Sequence, residues 1–240
     1  MNQFKIRRVQ WLLWLSALGF LVALTLFPVS YRITRLAILI LTLVIWFGLV
    51  ALVWKRRLLR FLLLGTTVLS IAFLVLPSRR VPPAEVLRGD YIAGLQRYNG
   101  VAYYWGGEST IGIDCSGLIR RGLIDALFRR GVRTGDAGLV RRAISLWWHD
   151  CSAKALGDQY RGLTVRLLDT PSLNALDHAQ ILPGDLGVTS NGVHIMAYIG
   201  NHRWIEADPG AGRVIIVMAP SKDNPWFHGP MNIVRWSILQ

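Results

Sequence analysis

Residues 112–131 read GIDCSGLIRRGLIDALFRRG, and the fold is read outward from them. Leu118, Ile119, Leu123, Leu127 and Phe128 recur at helical spacing, with Gly131 placed as a C-terminal cap. Asp114 is a residue type that caps a helix N-terminus, its side chain accepting from first-turn N–H groups. Cys115 then falls in the first turn, where the helix dipole and unpaired N–H groups favour the thiolate. Upstream, a helix is predicted from about Val86 to Tyr98, ended by Asn99-Gly100, and Gly106-Gly107 marks a loop. Downstream, a further helix is predicted from Ala137 to Leu156.

Strand signals dominate the rest. Thr164 to Leu168, Leu186 to Val188, Val193 to Ile199, Arg203 to Ala207, Val214 to Met218 and Asn232 to Trp236 are short runs bounded by Gly, Pro, Asn or Asp. Gly200-Asn201-His202 reads as a hairpin turn with His202 exposed. Helices first and strands after predict an α+β domain with a mostly antiparallel sheet.

The other third of the chain differs in kind. Of the formal net charge of +13, residues 1–80 carry +11: eleven Lys or Arg and no acid. The same residues hold the long apolar runs, so a lipid bilayer is the expected partner and nucleic acid is not. Val9 to Tyr31 and Leu36 to Trp54 are uncharged and long enough to span. Phe61 to Leu76 spans if Leu58 and Leu59 join it and Arg60 snorkels to the interface. Two uncharged runs separated by four residues do not fit one soluble core, and the first run is too long for the apolar region of a cleaved signal peptide and lacks a clear small-x-small site.

The chain therefore divides into an anchor over 1–80, with helices at about 10–30, 36–54 and 58–76, and an α+β domain over 81–240. With the N-terminus inside, Lys5, Arg7, Arg8, Lys55, Arg56, Arg57 and Arg60 face the cytoplasm, against Arg32, Arg35, Arg79, Arg80 and Arg88 outside. Three spans place the C-terminal domain on the outer side of the plasma membrane; with only two spans it would be cytoplasmic. The linker PSRRVPPAEV is short and stiff, which keeps that domain close to the surface.

Cys115 with the sequence-distant His194 is a candidate nucleophile–base pair. Spacing alone fits a core cysteine and a hydrogen-bonded histidine better. The surrounding blocks change the balance: YNGVAYYWGGESTIGIDCSGLI, ILPGD and GVHIMAYIGNHRWIEA occur in that order. Over about Leu87 to Val217 this resembles the NlpC-type family of papain-like cell-wall cysteine peptidases. The resemblance implies a papain-like domain with the nucleophile at a helix N-terminus. It implies Cys115 as nucleophile, His194 as base, and Tyr103 as an oxyanion donor beside the Cys115 N–H.

The third catalytic position falls on Glu206, where the family often has His, or Asn or Gln. A carboxylate can orient an imidazole, but a flat hairpin does not set Glu206 opposite His194, so a bulge or strong twist is required. Cys115 and His194 are 79 positions apart, more than in compact members of the family; the excess falls in 133–160, including Trp147, Trp148 and His149. These residues either cap the cleft, touch the membrane interface or pack as an accessory helix. Cys151 could form a disulfide with Cys115 only by disabling it.

No cofactor and no metal site is expected. The resemblance implies a membrane-anchored amidohydrolase acting on a peptidoglycan stem peptide, at the bond between D-γ-glutamate and the diamino acid. The alternatives are a thioester acyltransferase at the membrane and a catalytically silent envelope-binding module.

Overall fold

In the computed structural model, residues 3–78 and 82–240 are described; Arg79, Arg80 and Val81 of the linker lie outside the described residues. Three helices come first: α1 Gln3–Leu26, α2 Arg32–Val53 and α3 Arg57–Val75. Each holds at least 19 residues long and apolar enough to cross a membrane. At about 1.5 Å per residue, 19 residues reach about 28 Å, close to a hydrocarbon core. The first apolar run continues to Tyr31, but α1 stops at Leu26 because Pro28 cannot extend it. Arg60 lies on α3, its guanidinium 4.8 Å from the Trp54 ring centroid and donating to the Trp54 carbonyl at 3.3 Å. The charge reaches back past the helix start, as a snorkelling side chain does.

The α+β unit follows as the sequence predicts. Four helices, α4 Ala84–Gln96, α5 Cys115–Thr134, α6 Ala137–Trp148 and α7 Ala153–Gly157, precede or flank a six-stranded sheet. Its strands are β1 Thr164–Thr170, β2 Leu186–Thr189, β3 Ile195–Gly200, β4 Arg203–Asp208, β5 Arg213–Met218 and β6 Met231–Trp236. The order is β1-β6-β2-β3-β4-β5, and every neighbouring pair is antiparallel. Both faces are covered. Ile195, Ala197, Ile205 and Ala207 pack with Leu118 and Ile119 of α5, while Met196, Trp204, Phe227 and Ile233 build a second core on the opposite face.

Two helix boundaries depart from the sequence reading. Gly131 does not cap α5; it lies one turn inside, where a Cβ would come 2.8 Å from Val140 of α6. Its smallness serves helix packing, and Gly135, at φ 63°, takes the left-handed cap instead. The single helix expected over Ala137 to Leu156 is two. His149 leaves helical geometry, and Ser152 starts α7 by accepting the Ala155 N–H on its Oγ. The break frees Asp150 to meet Arg120 at 2.9 Å.

Candidate active site

The nucleophile end of α5 is held by Asp114. One carboxylate oxygen accepts the Gly117 N–H at 2.6 Å and the Ser116 hydroxyl at 3.0 Å. The other accepts the Gly106 N–H at 2.9 Å. The Gly107 carbonyl in turn accepts the Asp114 N–H at 3.1 Å. A Cβ on Gly117 would sit 2.1 Å from that carbonyl. The Gly-Gly loop therefore lies directly on the first turn of α5, and the residue two after the cysteine has to be glycine.

Cys115 is 7% exposed, at the edge of a cleft of about 360 Å³ whose walls include Trp105, Ser116 and Val193. Burial first, then the Asp114 carboxylate, pushes the thiol up to about 12; the backbone N–H groups of Ile195, Ser116 and Cys115 pull the other way. The helix terminus expected to favour the thiolate is thus outweighed by desolvation, and the resting sulfur is a neutral thiol. Tyr103 is half-buried against the same core. Burial, then Cys115, Asp114 and Asp208, push its phenol up to about 12, so at neutral pH it is a proton donor. Both cysteines are free.

His194 lies just outside β3, which starts at Ile195 rather than Val193. It is tied to the end of β2, its N–H donating to the Thr189 hydroxyl at 2.9 Å and its carbonyl accepting the Thr189 N–H at 3.0 Å. Its Nε2 meets a Glu206 carboxylate oxygen at 2.5 Å, with both side chains buried. The hairpin explains how. Asn201 and His202 both take positive φ, 53° and 57°, a two-residue turn of the kind that suits twisted strands. Counted back from Gly200↔Arg203, a regular ladder would set Glu206 opposite Ala197, on the wrong face. The register shifts between Tyr198 and Gly200, so Ala197 meets Ile205 and Glu206 falls on the His194 face. The long side chains then bridge the remaining diagonal.

Two residues missed in the sequence complete this group. Asn224 donates its Nδ2 to the other Glu206 oxygen, and Trp226 stacks on the His194 ring at 4.2 Å and 17°. Both belong to a short turn in which Asn224 caps Pro225–Phe227. The only local signal was Asn224-Pro225, a turn start. With Nε2 donating to Glu206, the imidazole keeps Nδ1 as its other proton site. Among the described residues no hydrogen bond joins the Cys115 thiol to the His194 ring. The thiol lies against the backbone of Ile195, the next residue. The structure thus brings Tyr103 to Cys115, and Glu206 to His194.

The family model described as NlpC/P60 family matches residues 100–228. No curated protein matches. Similar solved structures include NlpC1 from Trichomonas vaginalis, 16% identical with a TM-score of 0.41, over 66% of this chain and 46% of that one. The peptidoglycan hydrolase RipB from Mycobacterium tuberculosis is 23% identical with a TM-score of 0.40, over 63% of this chain and 65% of that one. A P60 domain of an antigen from M. avium subspecies paratuberculosis is 22% identical with a TM-score of 0.40, over 65% of this chain and 98% of that one. The chain thus spans less than half of the first and about two thirds of the second. With its matched region covering more than half of its length, this chain belongs to the NlpC/P60 family.

Proposed function

We propose that the protein is a membrane-anchored cysteine amidohydrolase that cleaves peptidoglycan stem peptides at the D-γ-glutamyl–diamino acid bond. The observation that carries this reading is the buried His194–Glu206–Asn224 chain beside the Cys115 end of α5, in a family member with the Asp-Cys-Ser-Gly block intact. A neutral thiol needs a base, and His194 is oriented by a carboxylate that lacks any Lys or Arg partner among the described residues. Proton transfer from Cys115 to His194 makes the imidazolium that Glu206 stabilises.

The sulfur then attacks the amide carbon. The Tyr103 hydroxyl and the Cys115 N–H receive the developing oxyanion, and collapse expels the amine with the His194 proton. Water, deprotonated by His194, hydrolyses the thioester and restores the thiol. Release of smaller peptides from purified sacculi or from lipid-linked precursor, lost in Cys115→Ala, is the expected result. A wild-type protein that cleaves neither would end the peptidase reading.

In this proposal residues 1–80 are the anchor, residues 81–240 the catalytic domain, and the domain lies on the outer face of the plasma membrane. The α1–α2 connection supports the arrangement. Ser30 donates its N–H to the Gly106 carbonyl at 3.0 Å, so this connection and the domain share one side. If α2 leaves that side, α3 must return to it. Two of the five charges counted outside, Arg35 and Arg88, pair with Glu108 and Asp185, which leaves the inner face the more basic. A membrane-impermeant thiol reagent should label Ile33→Cys from outside intact spheroplasts and Lys55→Cys only after lysis. The reverse pattern would refute this orientation.

A further inference from the structure

The loop between α1 and α2 does more than connect them. It adds an edge to the Gly-Gly loop that lies on the nucleophile helix. Val29 bridges Gly107, Glu108 donates its N–H to the Pro28 carbonyl at 2.9 Å, and Ser30 donates to Gly106. Gly106 has φ 73°, and a Cβ there would meet the Tyr31 hydroxyl at 3.0 Å. Ser30 and Tyr31 line the same cleft as Cys115 and Ser116. Tyr31 is half exposed there, free to touch what enters.

A buried charge cluster fixes this loop. Arg35, on the first turn of α2, is fully buried. It pairs with Glu108 at 2.7 Å, donates to the Trp147 carbonyl, and holds the Ser30 hydroxyl at 3.0 Å. Arg120 of α5 pairs with the same Glu108 at 3.2 Å and with Asp150 at 2.9 Å. Arg120 and Asp150 also line the cleft. On the other side of the anchor, Arg141 of α6 donates to the Leu74 and Leu76 carbonyls at the end of α3, at 2.6 and 2.7 Å. The 133–160 segment, whose role the sequence left open, thus clamps the apolar helices to the domain at two points.

We infer that the α1–α2 loop is a wall of the substrate cleft, with Tyr31 and Ser30 as specificity-determining residues and the Arg35–Glu108–Arg120–Asp150 cluster as its lock. The inference rests on the amidohydrolase reading for its substrate, an amide-linked wall peptide presented beside the bilayer. Because the wall is made of residues that join two apolar helices, the cleft opens at the membrane surface. A peptide carried on a lipid and a soluble fragment of the same peptide share the chemistry the cleft would bind.

The test uses the full chain in nanodiscs with two substrates, a soluble disaccharide tetrapeptide and the lipid-linked precursor. Tyr31→Ala should raise KM about tenfold on whichever substrate is cleaved, with kcat within about twofold, and Tyr31→Phe should restore it. Ile33→Ala, exposed on α2 and away from the cleft, should match the wild type. A KM ratio within about twofold for both Tyr31→Ala and Ser30→Ala overturns the wall.

A second readout needs no turnover. Cys115 modification is followed by peptide mapping, with iodoacetamide as the small reagent and fluorescein maleimide as the bulky one. The bulky-to-small rate ratio should rise at least about fivefold in Tyr31→Ala and in Arg35→Met. If the wild type turns over neither substrate, the amidohydrolase reading fails, and an unchanged ratio in Tyr31→Ala then overturns the wall as well. Tyr31 is partly exposed, so its variant remains decisive if Arg35→Met does not fold.

Discussion

Glu206→Gln is the sharpest test of the proposed chemistry. The glutamine is isosteric, so the Asn224 contact and the packing of β4 are kept while the charge is lost. Its amide oxygen still accepts from Asn224, which turns its NH2 toward His194. Nε2 must then accept, and the ring proton moves to Nδ1. The imidazole becomes the wrong tautomer to take a proton from the thiol by that nitrogen. The charge loss adds to this. Two unit charges about 4 Å apart at an effective dielectric of about 20 interact by about 4 kcal/mol, which is the support withdrawn from the imidazolium. At about 1.4 kcal/mol per decade, kcat should fall by about three decades. In a Ser-His-Asp triad the corresponding amide substitution costs about four decades. The assay is peptide release from muropeptide at saturating substrate, with Cys115→Ala as the floor. Circular dichroism should match the wild type. A variant within about threefold of wild-type kcat would refute a catalytic role for the carboxylate.

Gly117→Ala should lower the apparent melting temperature by at least about 4 °C in a tryptophan-fluorescence melt, because its Cβ would overlap the Gly107 carbonyl at 2.1 Å. Wild-type stability should also fall at alkaline pH. Burial raises Cys151 from 9.0 to about 11 and Tyr98 from 10.0 to about 12. The unfolded chain therefore loses these protons first. Their contribution is complete below pH 9 and is lost as pH climbs through 11 and 12. Urea midpoints should drop over that window, by less in Cys151→Ala than in the wild type; identical slopes would refute the assignment.

Most of the fold was legible because its signals are local. The Asp114 cap, the strand runs bounded by turn residues and the Asn201-His202 hairpin all depend on neighbours in sequence. What was not legible depends on contacts across the fold. Gly131 has the composition of a cap, and only the approach of α6 makes it a packing residue. The face that Glu206 presents is decided by one extra residue in the β3–β4 ladder, which no alternation pattern reveals. Asn224 and Trp226 reach the site from a turn 18 or more positions beyond Glu206. Arg35 was counted as an interfacial charge. It stands between the two uncharged runs, where an interfacial charge is ordinary, and only the fold brings Glu108, 73 positions away, to it.

Arg35 also ties the apolar helices to the domain through buried charge. Within the domain, Arg120 alone faces two carboxylates, Glu108 and Asp150. Glu108 is 6% exposed, so without Arg35 it would be a buried charge that shares its one remaining cation among the described residues. Arg35 supplies the missing charge from α2 and makes the cluster neutral. Removing one partner of a buried pair costs about 3–5 kcal/mol, most of it the penalty on the charge left behind. Arg35→Met should therefore destabilise the full chain by about that amount. The additional change Glu108→Gln should recover part of the loss, because it removes the orphaned charge while keeping the side chain's shape. A simple packing role for Arg35 makes the opposite prediction: the second substitution would add its own cost. Denaturation midpoints for the two single variants and the double variant decide between them, and a double variant no more stable than Arg35→Met would show that charge balance is not what binds the anchor to the domain.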